Sequence, residues 1–254
     1  MNNYGNNFWD SLPAATKNIL IITTIVWLLQ LLMPRYGVDL SIWLALHYPA
    51  SGNFLPFQLV TYIFMHGSWA HIIFNMLGLL MLGSVLNQVW GTKRFLTFYF
   101  ITGIGAGLVH LLVTFIRIQI MEANMSSEII QMVYAEGTSV INRGMRFIDN
   151  DAHNLNRLIN TAVVGASGSI FGILIAFAML FPTAPLYIMF IPIPIKAKYL
   201  AILLGVASLF FGFANFPGDR IAHFAHLGGM LFGLILILYW RKTDKNRNYY
   251  EHYY

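Results

Sequence analysis

The chain has 254 residues, 57% of them hydrophobic and only 10% charged, with a mean hydropathy of +0.63 and a formal net charge of +5. Soluble domains carry about 25% charged residues, so the deficit excludes an ordinary soluble enzyme and points to the membrane. No cysteine is present, which excludes disulfides and thiolate metal sites, and the basic residues form no patch of the kind that binds nucleic acid.

Residues 1–16 lack the basic start and cleavage site of a secretory signal, so the first apolar run is expected to be retained behind a short N-terminal segment. Crossing a ~30 Å hydrocarbon core takes about 20 apolar residues. Runs of that kind are expected as spans at 18–34, 68–90, 95–116, 162–181, 199–216 and 221–240. The uncharged block 40–92 is interrupted by Pro49, Gly52, Pro56 and Gly67. Its first part, 36–66, is rich in Trp, Tyr and Phe and is expected as a loop with amphipathic pieces in the interface. Segment 117–160 holds four arginines and five acids. Ser126 and Ser127 ahead of Glu128 mark a helix start, and Ile129, Ile130, Met132 and Val133 are spaced for one apolar face. A helical insert that caps the spans or binds a partner is expected there. Residues 241–254 form a basic, tyrosine-rich tail (Tyr249, Tyr250, Tyr253, Tyr254) suited to anionic lipid.

All six lysines (Lys17, Lys93, Lys196, Lys198, Lys242, Lys245) fall on the side that holds both termini of a six-span chain. The other side holds six arginines, four of them in the insert. By the positive-inside rule, both termini are expected in the cytoplasm.

Polar groups inside spans are functional candidates by default. Ser167 and His226 each lie about five residues into an outside-to-inside span, ~8 Å deep at 1.5 Å per residue. His71 and Asn75 fall in the same layer, one helical turn apart, so both can point at one spot. Gly168, Gly172 and Ala176 form a small-residue stripe on the fourth span, and Gly229 and Gly233 form another below His226. Such stripes let backbones approach closely, and facing one another they would bring Ser167 to His226. Neutral imidazole can take the serine proton and arm it as a nucleophile. The developing oxyanion needs donors, and the Ser167 backbone N–H near a helix start is one. A dyad suffices, because a third member mainly orients the base.

Other polar residues have simpler expectations. Ser169 and His110 are interior packing groups, while His66 and His223 are hydrogen-bonded neighbours at a water-accessible mouth. His66, His71, His223 and His226 together raise a metal-site alternative, which lacks a carboxylate.

The quoted segments HGSWAHIIFN (66–75), GASG (165–168) with the following IFG, and AHLGGMLFG (225–233) resemble those of rhomboid intramembrane serine proteases of the bacterial type. The resemblance covers about 17–240 apart from the insert. It implies an all-α, six-span rhomboid-like bundle in the inner (plasma) membrane, without cofactor or metal. It further implies Ser167 as nucleophile, His226 as general base, and His71 with Asn75 and the Ser167 N–H as the oxyanion site. Gly165, Gly168, Phe171, Gly229 and Gly233 support them. The partners implied are transmembrane-helix substrates within the lipid bilayer, with the fifth span and the loop after it gating access. The chain departs from the pattern in having Asn87 where the family often has Glu, Phe171 where it often has Tyr, and no Trp-Arg pair in the first outer loop. Two rivals remain, a non-catalytic rhomboid-like protein that binds membrane clients and a histidine-lined metal or proton transporter.

Overall fold

The computed structural model describes residues 8–187, 193–214 and 222–243. Residues 1–7, 188–192, 215–221 and 244–254, the last with Tyr249, Tyr250, Tyr253 and Tyr254, lie outside the described residues.

Helix α1 (Ala14–Leu32) starts after Pro13, whose missing N–H costs nothing at a helix start. Ala15, Ile19, Thr23 and Trp27, four apart, are buried on one face. Ile21, Ile22, Ile25, Leu28 and Leu29 are exposed on the other, as lipid contact requires. The following segment to residue 66 holds short helical pieces joined by irregular backbone. It winds through short turns at Ser41–Leu44, Pro49–Ser51 and Gln58–Thr61. Gln58 is its hub, fully buried, donating to the carbonyls of Ile42 (3.2 Å), Trp43 (3.3 Å) and Asn53 (2.9 Å) and accepting from the His47 N–H (3.2 Å).

Helix α2 (Trp69–Gly78) is capped by Ser68, whose hydroxyl accepts from the His71 N–H at 3.2 Å. A π-helical turn, Leu79–Gly83, joins it to the long helix α3 (Ser84–Glu122). Inside α3, Gly91 has φ 75° and ψ 166°, non-helical angles in the left-handed half of the map that glycine adopts without steric cost, and the chain turns back on itself there. The break at Gly91 thus divides the apolar run 69–122 into the two stretches expected as the second and third spans. Asn87, just before the fold, ties α1 to it by accepting from the Thr16 N–H and hydroxyl, both at 3.3 Å.

The insert forms α4 (Ser127–Asn142), capped by Ser126, and α5 (Asn150–Asn160), capped by Asp149. Ile118, Val133, Ala152, Leu155 and Ile159 give it a small core of its own, separate from the main one. The remaining elements are α6 (Ser167–Leu180), the antiparallel pair β1 (Pro185–Tyr187) and β2 (Pro194–Lys196), α7 (Ala197–Ala214) and α8 (His223–Thr243). Among the described residues four helical runs are long and apolar enough to cross a membrane, 14–36, 69–122, 197–214 and 223–243, and Ser167–Leu180 is a shorter apolar helix. The fourth expected span therefore begins at 167 rather than 162. Residues 162–164 are extended because Leu46 and Val163 pair through reciprocal backbone bonds of 2.9 Å. At the far end of the bundle the Arg94 guanidinium lies 4.1 Å from the Trp240 ring centre, and Arg241 donates to the Met179 carbonyl in the last turn of α6.

Helix α6 sits in the middle, packed most extensively against α8 and α3. The small residues permit this in a different way from the simple face-to-face pairing expected of the two stripes. A Cβ on Gly229 would collide with the Gly168 carbonyl, and one on Gly233 would lie 3.1 Å from Gly172 Cα, so α8 does rest on the α6 backbone. Gly168 and Gly172 themselves point at Ala106 and Thr102 of α3. Three helices nest at one level.

Candidate active site

Ser167 is the first residue of α6. It lies at the helix tip rather than a turn and a half inside, and the depth argued from a start at 162 is corrected accordingly. The first N–H groups of a helix have no intrahelical partner, so the Ser167 and Gly168 N–H groups both belong to that unpaired turn. The residue before this tip pair is set by an unusual backbone. Gly165 has φ 130°, a conformation L side chains rarely adopt, and its N–H donates to the Tyr62 carbonyl at 2.9 Å.

His226, in the first turn of α8, brings Nε2 to 2.9 Å from Ser167 Oγ. This is hydrogen-bond distance for a base and the hydroxyl it would deprotonate. The Phe171 ring, one turn along α6, stacks on the His226 imidazole with centroids 4.1 Å apart and planes at 10°. The stacked ring limits the tilt of the base. On its other side His223 meets His226 edge-on at 6.1 Å and stacks on Phe211 of α7 at 5.6 Å.

His71 points into the same space. A Cβ on Gly165 would lie 2.6 Å from His71 Nε2 and 3.7 Å from Ser167 Oγ. The imidazole edge, the Gly165 backbone and the serine hydroxyl therefore converge. His71 Nδ1 accepts from the Gly67 N–H at 3.4 Å, a long bond but one with a fixed direction, since an amide N–H only donates. In the neutral ring that leaves the proton on Nε2, the nitrogen facing Gly165 and Ser167. Asn75, one turn after His71, is buried, and its Nδ2 has no hydrogen-bond partner among the described residues. Buried unsatisfied donors are rare enough to ask for a purpose.

Other expectations fare differently. The Ser169 hydroxyl donates to the Tyr99 carbonyl at 2.8 Å, and His110 Nε2 meets the Thr114 hydroxyl at 3.4 Å, so both are interior groups. His66 is not a hydrogen-bonded group at a wet mouth. It is 1% exposed, neither ring nitrogen has a partner among the described residues, and its ring meets that of His71 edge-on at 5.0 Å. Among the described residues no three His, Asp or Glu side chains are grouped to hold a metal ion. Tyr62 was not singled out by the sequence, yet its carbonyl fixes Gly165 and its hydroxyl donates to the Gly103 carbonyl at 2.6 Å.

A nested bundle of apolar helices, several long enough to cross a bilayer, with a serine and a histidine paired inside it, defines a multi-pass helical membrane protein with a polar centre. The model of the Rhomboid domain matches residues 55–243, well over half of the chain, and the protein belongs to that family. The chain is similar to Rhomboid-like protein 15 of Arabidopsis thaliana, at 27% identity over 108 residues, 42% of this chain and 26% of that one. It is also similar to Rhomboid-like protease 3 of Toxoplasma gondii, at 34% identity over 68 residues, 27% of this chain and 26% of that one. RHOMBOID-like protein 12, mitochondrial, of Arabidopsis thaliana is 27% identical over 192 residues, 74% of this chain and 47% of that one. The chain thus spans between a quarter and about half of the length of the relatives it matches.

Proposed function

We propose that the protein is an intramembrane serine endopeptidase that crosses the bilayer six times and cuts transmembrane segments of other proteins with a Ser167–His226 dyad. The observation that carries this reading is the 2.9 Å contact between His226 Nε2 and Ser167 Oγ, made inside an apolar bundle and braced by Phe171. His226 takes the Ser167 proton as Oγ attacks the scissile carbonyl. The oxyanion forms beside the Ser167 N–H, His71 Nε2–H and Asn75 Nδ2. His226 then passes its proton to the leaving amine, leaving an acyl-enzyme, and activates a water to release the second product. Each oxyanion donor contributes about 10²–10³ in kcat. The similarity to a Toxoplasma gondii relative named as a rhomboid-like protease supports the same reading. The distribution of lysine supports cytoplasmic termini.

A fluorophosphonate probe tests it. Labelling of the wild type that disappears in Ser167→Ala, together with loss of cleavage of a transmembrane substrate in Ser167→Ala and in His226→Ala, is expected. Full cleavage by either variant would sink the dyad. An unlabelled wild type that still retains membrane clients would establish the binding protein instead.

A further inference from the structure

Helix α1 carries one amide in its outer half. Gln30 follows Leu28 and Leu29 and precedes Leu31 and Leu32, all exposed on the apolar surface, and is itself half-buried. A carboxamide among lipid-facing leucines is costly unless both ends are bonded. Both are. Gln30 Nε2 donates to the His66 carbonyl at 3.0 Å, and Gln30 Oε1 accepts from the His66 N–H at 3.0 Å. The side chain thus pairs with residue 66 on both its backbone groups, as a neighbouring strand would.

The carbonyl it holds belongs to the same peptide unit as the Gly67 N–H. That unit is planar and trans, so its C=O and N–H point in opposite directions, and fixing one aims the other. The Gly67 N–H is the donor to His71 Nδ1. The donors therefore line up in one direction, from the Gln30 amide to the His66 carbonyl, from the Gly67 N–H to His71 Nδ1, and from His71 Nε2–H toward Gly165 and Ser167. Accepting a bond at the carbonyl also polarises the peptide and strengthens its N–H as a donor. His66 adds a steric limit, since its buried ring lies edge-on to the His71 ring.

We propose that Gln30 is a positioning residue for the oxyanion site, which acts through the His66–Gly67 peptide to hold His71 in the tautomer whose Nε2 carries the proton. The proposal rests on the assignment of His71 to the oxyanion site. The competing account is that Gln30 merely fastens α1 to the loop before α2, much as Thr16 fastens α1 to Asn87. Fastening alone leaves the His71 tautomer unchanged.

The test uses the full chain in lipid nanodiscs with ¹⁵N-labelled histidine, reading the His71 ring nitrogens by NMR, alongside turnover of a transmembrane substrate. The wild type is expected to show His71 protonated on Nε2 and bare on Nδ1. Gln30→Met, which keeps the length and loses both hydrogen bonds, is expected to give a mixed tautomer. Its kcat falls about tenfold, between the effect of one neutral hydrogen bond and that of a whole oxyanion donor, with KM within about twofold. Thr16→Val lowers thermal stability and leaves tautomer and kcat at wild-type values. A wild-type His71 protonated on Nδ1 overturns the proposal without any variant having to fold. A wild-type tautomer in folded Gln30→Met overturns it too, whatever happens to kcat. Wild-type protein that cleaves nothing and takes no fluorophosphonate overturns the protease assignment alone, because the tautomer is read without turnover.

Discussion

Gly229→Ala is the sharpest probe of how the dyad is built. The added Cβ would collide with the Gly168 carbonyl group, lying 2.7 Å from its carbon, and that group is backbone in the first turn of α6. No rotamer relieves the overlap. Restoring an ordinary carbon–carbon contact of about 3.5–4.0 Å means moving α8 away from α6 by roughly 1 Å. His226 rides on α8 three residues before Gly229, so its 2.9 Å contact with Ser167 would open by a similar amount. At roughly 3.9 Å that is no longer a hydrogen bond. A misplacement of that size costs about 10²-fold in rate, while overpacking costs about 1–3 kcal/mol of stability. Two assays separate these effects, the rate of fluorophosphonate labelling of Ser167 with cleavage of a transmembrane substrate, and thermal unfolding in detergent. Gly205→Ala is the control, since its Cβ would meet only the flexible end of Met230, at 3.3 Å. Wild-type labelling and cleavage by folded Gly229→Ala would refute the idea that the α6–α8 backbone approach sets the dyad distance.

Three further outcomes are expected. Gly165→Ala forces a Cβ to within 2.6 Å of His71 Nε2 at φ 130°, and should lower kcat by about 10²–10³ through the oxyanion site, checked by kinetics on protein with wild-type circular dichroism. Gln58→Leu strands the carbonyls of Ile42, Trp43 and Asn53 and the His47 N–H, and should cost about 2–4 kcal/mol in equilibrium unfolding. The Tyr134 hydroxyl donates to Glu122 at 2.7 Å, and burial first, then that carboxylate, raises its pKa above the usual tyrosine value. A raised acid pKa means the stabilisation is complete below the unfolded-state value near 10 and is lost as pH rises through the folded value. Phenolate absorbance should therefore show one late-titrating tyrosine fewer in Tyr134→Phe than in the wild type.

The helices were legible where physics is local. Apolar runs, Ser126 at the start of α4, and the spacing of Gly229 and Gly233 below His226 all act within a few residues. Boundaries that depend on distant partners were not. Ser167 heads its helix because Val163 pairs with Leu46 and Gly165 with Tyr62, residues about a hundred positions away. No pattern near 162–166 announces that. Gly91 was legible as well, since the turn expected at 91–94 is where its non-helical angles break the helix. The stripe spacing predicts that the α6 glycines face α8, whereas three-helix nesting turns their Cα–H bonds toward α3. His66 reads as a hydrogen-bonded group at a water-accessible mouth, because nothing in HGSW reveals that the folded chain buries it. Gln30 and Gln58 carry no local signal for the same reason, since a glutamine shows its purpose only once its partners are folded around it.

The insert's separate core has its own consequence. Ile118, Val133, Leu155 and Ile159 are buried together at the end of α3, away from the cluster that holds α6. Two cores mean two cooperative units, and the smaller can open while the larger stays shut. Amides of α4 and α5 then exchange with solvent on a shorter clock than those of α6. The bond from the Thr138 hydroxyl to the Ser51 carbonyl is one fastening that crosses between the units. The expected picture is a helical body carrying a looser porch, whose opening leaves the body closed.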